Sequence, residues 1–224
     1  MKTSSEYRAL ARESLNGRWN ELAVLMFVYS LIAVAGGGFS VAGSVARIGW
    51  LSGFGNGANL CISVLLVVPL GYAFNSLCLL MARSQAADDG LLPQLFGEMS
   101  ANWRTLVCVG VLEMIILSVV GVLTLGIGLV ILDLAYALVP FVVHDNPDID
   151  CREALRRSRI MMRGHKMELF VLYLTFIPWL LLIIVTFGIA ALWVAPYISM
   201  SLAHFYEDVK TDYDTVNAGE YTAA

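Results

Sequence analysis

Glu113 and Asp133 are the only two acids inside long apolar runs, and their placement makes them the first candidates for chemistry. Leaving an ionised carboxylate unpaired in hydrocarbon costs about 3 kcal/mol or more, so each needs a partner, a water or a proton. A tight turn at Thr124-Leu125-Gly126 separates the two runs that carry them. At about 1.5 Å per helical residue, Glu113 lies about 18 Å and Asp133 about 12 Å from Leu125, a difference of about one turn. Side-chain contact or a shared water-filled pocket is therefore feasible. Such a pair is either a proton or cation site or two acids hydrogen-bonded internally that hold helices together.

The second concentration of chemistry is basic. Between Asp150 and Lys166, Arg152, Arg156, Arg159 and Arg163 recur at intervals of four, three and four, which sets them along one stripe of a helix. Asp150 and Glu153 have capping-box spacing at its start, with Asp replacing the usual Ser or Thr. Ala154, Leu155, Met161 and Met162 fall mainly toward another side, so the helix is amphipathic and suited to lie in a membrane interface with its arginines on anionic headgroups. At about 1 kcal/mol per basic residue near an anionic surface, the stripe contributes several kcal/mol to docking and topology.

Other chemistry lacks the necessary residues. His144, His165 and His204 are scattered at segment ends; Cys61, Cys78 and Cys108 lie in apolar segments, and Cys151 lies in the basic stretch. None has metal-ligand spacing, and nothing suggests a disulfide framework, so the cysteines read as small hydrophobes. No phosphate-binding loop, dinucleotide fingerprint, zinc-protease or nucleophile-elbow motif occurs. The expectation is a non-enzymatic protein with no catalytic residues, metal or cofactor.

The elements that position these residues follow from hydropathy. Of 224 residues, 58% are hydrophobic and 14% charged, with mean hydropathy +0.74, which leaves too few polar residues to coat a water-soluble fold. Six runs are long enough for a bilayer core: Leu22 to about Gly38, Leu60 to Met81, Leu106 to Leu123, Gly126 to Val143, Leu169 to Val185 and Phe187 to Phe205. They lack strand alternation, so the fold class is all-α: a polytopic membrane protein with about six transmembrane helices in three hairpins, accompanied by interfacial amphipathic helices. Thr124-Leu125-Gly126 and Thr186-Phe187-Gly188 supply hairpin turns, glycine taking the positive φ that ends a helix and threonine capping the next. Gly36 to Asn59 carries eight glycines and reads as an irregular external loop. Pro69, Pro140, Pro178 and Pro196 are expected to kink their helices.

Six crossings put thirteen of the fourteen basic residues on one side, with Arg47 alone opposite. By the positive-inside rule that side is cytoplasmic and holds both termini. Near the N-terminus, Thr3 and Glu6 fit a capping box, and Tyr7, Leu10, Ala11 and Leu15 form an apolar stripe opposite Arg8, Arg12 and Glu13, predicting a second interfacial helix. Trp19 and Trp103 mark cytoplasmic boundaries. Residues 1–206 form one membrane domain. The stretch 207–224, with five acids and one lysine, reads as a disordered cytoplasmic tail.

The chain also repeats itself. Gly17, Glu21, Leu22, Val24 and Leu25 recur at equal spacing as Gly164, Glu168, Leu169, Val171 and Leu172, and Thr124 to Ile127 recurs as Thr186 to Ile189. With the Ala101 to Leu106 junction, this pattern suggests three units, each an interfacial helix followed by a hairpin.

Asn16-Gly17-Arg18-Trp19, the segment Glu153 to Ser158 with Gly164-His165-Lys166, and Thr186 to Ile189 with Trp193-Val194-Ala195-Pro196-Tyr197 resemble a bacterial family of unknown function, DUF975. The resemblance implies a multi-pass protein of the bacterial inner membrane and no particular activity. The expected role is structural, regulatory or partner-binding, with anionic lipid headgroups as partners, a second copy or another membrane protein as a further partner, and no nucleic acid. The alternative is a small transporter or channel using Glu113 and Asp133.

Overall fold

The computed structural model describes residues 2–45, 63–83, 91–123 and 127–222. Every regular element among these residues is helical: α1 Ser4–Ser14, α2 Trp19–Val45, a π-helical turn Ser63–Val67 leading into α3 Val68–Ala82, α4 Leu91–Ala101, α5 Trp103–Leu123, α6 Ile127–Tyr136, α7 Val139–Asp145, α8 Cys151–Met161, α9 Lys166–Leu174, α10 Ile177–Val185 and α11 Ala191–Thr222. The all-α class is therefore as expected. The Thr124-Leu125-Gly126 turn, residues 46–59 of the glycine-rich stretch and residues 60–62 at the start of the second run lie outside the described residues. Gly36 to Val45, expected to be loop, continue α2 as helix. Glycine weakens a helix by about 1 kcal/mol relative to alanine but, unlike proline, removes no hydrogen bond.

Local chemistry explains the starts and stops. The Glu6 carboxylate accepts the Thr3 backbone N–H at 2.6 Å and its hydroxyl at 2.9 Å, closing the first turn of α1. Asp150 caps α8 by accepting the Arg152 N–H at 3.3 Å. Its expected capping-box partner Glu153 turns instead to Arg156, which donates from Nε and Nη2 at 2.7 and 2.8 Å. At Thr186 the expected turn chemistry is present. Phe187 and Gly188 adopt positive φ (51° and 91°), the Gly188 N–H reaches back to the Ile183 carbonyl at 2.8 Å, and Thr186 Oγ1 accepts the Ala190 N–H at 3.1 Å.

Prolines divide the apolar runs. Pro140 and Pro178 open α7 and α10, where a missing N–H and a preset φ are harmless; Pro69 lies where the π-helical turn passes into α3, and Pro196 sits inside α11. The run from Gly126 to Val143 is consequently two helices, α6 and α7. The run from Leu169 to Val185 is α9 and α10, bent by 40°. By length and hydropathy, Leu65–Ala82 and Trp103–Val120 suffice to cross a membrane, and the bent α9–α10 pair makes a third. Among the described residues these measures give two crossings, or three with the bent pair, and not the expected six.

Two of the three proposed units share their backbone and burial. Gly17 and Gly164 both take left-handed φ (85° and 91°), between α1 and α2 and between α8 and α9. Leu22 and Leu169 are fully buried, Leu25 and Leu172 nearly so, and Val24 and Val171 are exposed. The middle unit departs from this pattern: no positive-φ glycine separates α4 from α5, and the Trp103 indole N–H donates to the Leu65 carbonyl at 3.1 Å. That bond sets the start of α5 beside the start of α3, so the two helices run the same way where they touch. Trp103 therefore lies at the far end of α3 from Arg83, not at a boundary shared with it. Each short leading helix packs on a helix from another unit: α1 on α11, α4 on α3 and α8 on α7.

α11 corrects the disordered-tail expectation. It runs through Glu207 to Thr222, with Val209 buried and Asp208 accepting from Lys2 Nζ at 2.8 Å and from the Tyr7 hydroxyl at 3.0 Å. The acids that look unpartnered along the chain find their cations on other helices. These same bonds seat the N-terminal segment beside the last helix. At the opposite extreme of burial, α10 buries no residue, and Ile184, Val185, Phe187 and Ile189 are all more than 60% exposed.

Candidate functional site

Three helices, α3, α7 and α11, each bring a charged residue to one point. Arg83 follows the last turn of α3, Asp145 ends α7, and Glu207 lies where α11 leaves its apolar portion. Arg83 Nη1 and Nη2 donate to the two Asp145 oxygens at 2.6 and 3.0 Å, and its Nε donates to Glu207 Oε1 at 2.7 Å. The Tyr206 hydroxyl and Lys210 Nζ also donate to Asp145, at 2.8 and 2.5 Å. Burial pushes the Asp145 carboxyl up, but the hydrogen bonds from Arg83, Lys210 and Tyr206 outweigh it and hold the group below the usual carboxylate range. Arg83 is held above its ordinary value, mainly by its hydrogen bond to Asp145. Phe141 stacks on Tyr206 at 5.2 Å, and His144 Nδ1 lies 2.8 Å from Glu98 at the same end. Every acid named here is compensated, which suits a structural clasp better than proton transfer.

This cluster was not anticipated from sequence. Its signal was one charged residue just beyond each of three apolar runs, but which of them meet depends on how the helices pack.

Glu113, on α5, accepts the Tyr72 hydroxyl of α3. Asp133, on α6, is exposed at the surface of the chain and near enough to act electrostatically on Glu113. The hairpin thus brings the two expected acids near one another, and a tyrosine from a different run supplies the hydrogen bond. Close packing helps: a Cβ on Gly110 would meet Val68 Cγ1 at 2.4 Å, so only glycine lets α5 approach α3 here.

Arg152, Arg156, Arg159 and Arg163 all lie exposed, whereas Ala154, Leu155, Ser158 and Met161 on the other side of α8 are buried. Ser158 Oγ anchors the buried side by donating to the Ala135 carbonyl at 2.9 Å. Arg159 donates to the Tyr136 hydroxyl and stands 5.4 Å above that ring, so it is partly engaged within the chain. Its counterpart in the first unit, Arg12, does the same with Tyr197, donating at 3.1 Å and lying 5.6 Å above the ring. Tyr197 also meets Trp19, Phe176 and Trp179 edge-on or tilted, which makes the Trp193 to Tyr197 phrase the joint between α1, α2, α10 and α11.

Cys108 on α5 and Cys151 at the start of α8 are joined as a disulfide, with Cα atoms 6.1 Å apart. This corrects the expectation of four unpaired cysteines. Nothing local in the sequence pairs residues so far apart, and only the packing of α8 on α5 brings them together. Among the described residues, no group of three or more His, Cys, Asp and Glu side chains is arranged to hold a metal.

No curated protein and no solved structure matches this chain significantly. One family model does match, over residues 59–212, from just before the π-helical turn to the extension of α11 that carries the Glu207 contact, and the chain belongs to that family, the protein of unknown function DUF975.

Proposed function

We propose that this chain is a multi-pass protein of a bacterial cytoplasmic membrane, without enzymatic activity, that holds its basic face against anionic lipid headgroups and serves as a structural or regulatory partner for other membrane components. The observation that carries this reading is the stripe Arg152, Arg156, Arg159 and Arg163, exposed on α8 while the other face of that helix is buried in the protein. A solvated stripe with its back fixed to the bundle is oriented for phosphates without further folding. The apolar exteriors of α5 and α10 suit hydrocarbon or a neighbouring membrane helix. The positive-inside bias assigns the end that holds Lys2, Arg83 and Lys210 to the cytoplasm, with both termini; Arg157 of α8, which donates to Asn146, lies beside that end.

The test is thermal unfolding in nanodiscs of phosphatidylcholine with and without phosphatidylglycerol. Anionic lipid is expected to raise the unfolding midpoint of the wild type by several degrees, and replacing the four arginines with glutamine is expected to remove most of that increment. An increment unchanged in the variant removes the headgroup reading. A small transporter or channel is the second reading, favoured by the proximity of Asp133 to Glu113; the Tyr72 hydrogen bond to Glu113 supports a structural role for that acid instead.

A further inference from the structure

Arg163 and His165 flank Gly164, whose left-handed φ of 91° bends the chain between α8 and α9 and sets the two basic side chains together. Asp212, Tyr213 and Thr215, on the part of α11 beyond Glu207, line the same cavity, which has a volume of about 520 Å³. Ile160, Met161 and Val209 supply its apolar part. A smaller cavity of about 230 Å³ against Asp145 and Lys210 shares Met161 and Tyr213 with it. The larger cavity therefore opens beside the Arg83 clasp, where the apolar helices α3 and α7 end. We infer that this cavity binds a phosphoethanolamine group, with the phosphate on Arg163 and His165 and the ammonium on Asp212, carried by a membrane lipid or by a water-soluble ester.

The balance of charge in the lining carries this. Arg163 is a fixed cation and Asp212 an acid, so the walls suit a zwitterion with one charge of each sign better than a polyanion. Among the described residues neither ring nitrogen of His165 makes a hydrogen bond: Nδ1 is buried 3.4 Å from Glu168, and Nε2 stands 4.0 Å from Asp212. An imidazole N–H in this position has a hydrogen bond to give to a phosphate oxygen. The apolar floor accommodates the glycerol carbons to which such a group is esterified.

The same lining selects ethanolamine over choline. A primary ammonium donates three hydrogen bonds and needs acceptors, which the Asp212 carboxylate and the Thr215 hydroxyl offer; Thr215 Oγ1 spends its own proton on the Asp212 carbonyl at 2.8 Å. A quaternary ammonium has no proton to donate and is held by a cage of aromatic faces. This cavity has one aromatic ring, Tyr213, and the Arg157 guanidinium already stands 5.9 Å over it. Arg163 also belongs to the stripe proposed for anionic headgroups, but His165, Asp212 and Thr215 do not, so the two sites fail or stand separately. Only the lipid source of the group rests on the membrane reading.

The full-length protein in detergent, its histidine rings isotope-labelled and the His165 signals assigned through His165→Gln, is titrated with glycerophosphoethanolamine, glycerophosphocholine and glycerophosphate at matched ionic strength. Glycerophosphoethanolamine is expected to shift the His165 signals saturably and to bind several-fold more tightly than the other two. Asp212→Asn, at an exposed position, is expected to weaken glycerophosphoethanolamine several-fold and to leave glycerophosphate nearly unchanged. In nanodiscs the same signals are compared in phosphatidylcholine with and without phosphatidylethanolamine, with no anionic lipid present. A shift that the wild type shows and Asp212→Asn loses assigns the group to the membrane; a shift with the soluble ester alone keeps the site and rejects the lipid as its source. No saturable shift from either source, equal binding of the choline ester, or a response that Asp212→Asn retains in full overturns the proposal. Absence of the phosphatidylglycerol increment described above removes the arginine stripe as a headgroup site without altering any of these readouts.

Discussion

The Arg83 guanidinium and the Asp145 carboxylate meet in two hydrogen bonds, of 2.6 and 3.0 Å, at the point where α3 and α7 end. The Asp145 side chain keeps 9% exposure and that of Arg83 20%, so the pair is largely withdrawn from water. Removing one partner from such a pair is far costlier than breaking a surface ion pair, because the other charge stays buried. Arg83→Ala is expected to destabilise the protein by about 2 to 3 kcal/mol, toward the low side for a buried pair because the arginine retains some solvent. Lys210→Ala removes a more exposed partner and is expected to cost about 1 kcal/mol or less. Chemical denaturation in detergent measures both, and equal losses for the two variants contradict the ranking.

Acid is expected to loosen the same clasp. A carboxyl whose folded pKa lies below its unfolded value contributes stability that is present above the unfolded value and lost as pH falls toward the folded one. Asp145 is such a group, with burial opposed and outweighed by Arg83, Lys210 and Tyr206. Its contribution should be complete at neutral pH and decline below about pH 4, the ordinary aspartate range. The unfolding midpoint of the wild type should therefore fall more steeply between pH 5 and about pH 2 than that of Asp145→Asn. Parallel curves for the two proteins exclude this linkage.

These two predictions concern residues whose roles the sequence concealed, and the reason is physical. Helix type follows from local chemistry: the glycine and threonine of the Thr186 turn, the proline that opens α10 and the apolar spacing of Leu22 and Leu25 all act within a few residues. For the same reason the matching of Gly17 with Gly164 was visible before any coordinates. Arg83, Asp145 and Glu207 come from three separate apolar runs, and their meeting depends on helix packing that no local pattern encodes. The tail was misread similarly, since the partners of Asp208 and Glu207 are Lys2 and Arg83, remote in sequence. For Glu113 the neighbouring acid was legible across one hairpin, but the donor Tyr72 was not.

The paired glycines offer a test of the repeat. At Gly17 and Gly164 an added Cβ would meet nothing within 4 Å, so the cost of Gly17→Ala or Gly164→Ala comes from the left-handed φ alone, about 1 kcal/mol each. Gly97 is equally uncrowded but helical with ordinary φ, so Gly97→Ala is expected to be neutral or stabilising by up to about 1 kcal/mol. Denaturation midpoints of the three variants distinguish strain from crowding; a stabilised Gly164→Ala contradicts the left-handed turn.

Gly110 presents the opposite case, with ordinary helical backbone and no room. An alanine methyl there collides with Val68, and α5 must move away from α3, at a cost of about 1 to 3 kcal/mol. The double variant Gly110→Ala with Val68→Ala is expected to regain part of that loss, because the colliding atom belongs to the valine side chain. Additive losses in the double variant place the strain elsewhere.

Transport and structure make opposite predictions at Glu113. If the Tyr72 hydroxyl satisfies this carboxylate for packing, then Glu113→Gln, which keeps an acceptor oxygen, should leave the protein folded with a small loss of stability. Tyr72→Phe removes the donor and leaves the carboxylate unsatisfied, at an expected cost of about 1 to 3 kcal/mol. Proteoliposomes of the wild type should then pass neither protons nor monovalent cations above the rate of empty vesicles. A wild-type flux that Glu113→Gln abolishes without unfolding the protein reverses the assignment. It would make the Glu113 and Asp133 hairpin the working part of the molecule and the Arg83 clasp its support. The outcome rests on whether Asp133, exposed on α6, completes a hydrated path past Glu113 or faces an apolar partner, and flux measured in Asp133→Asn separates these.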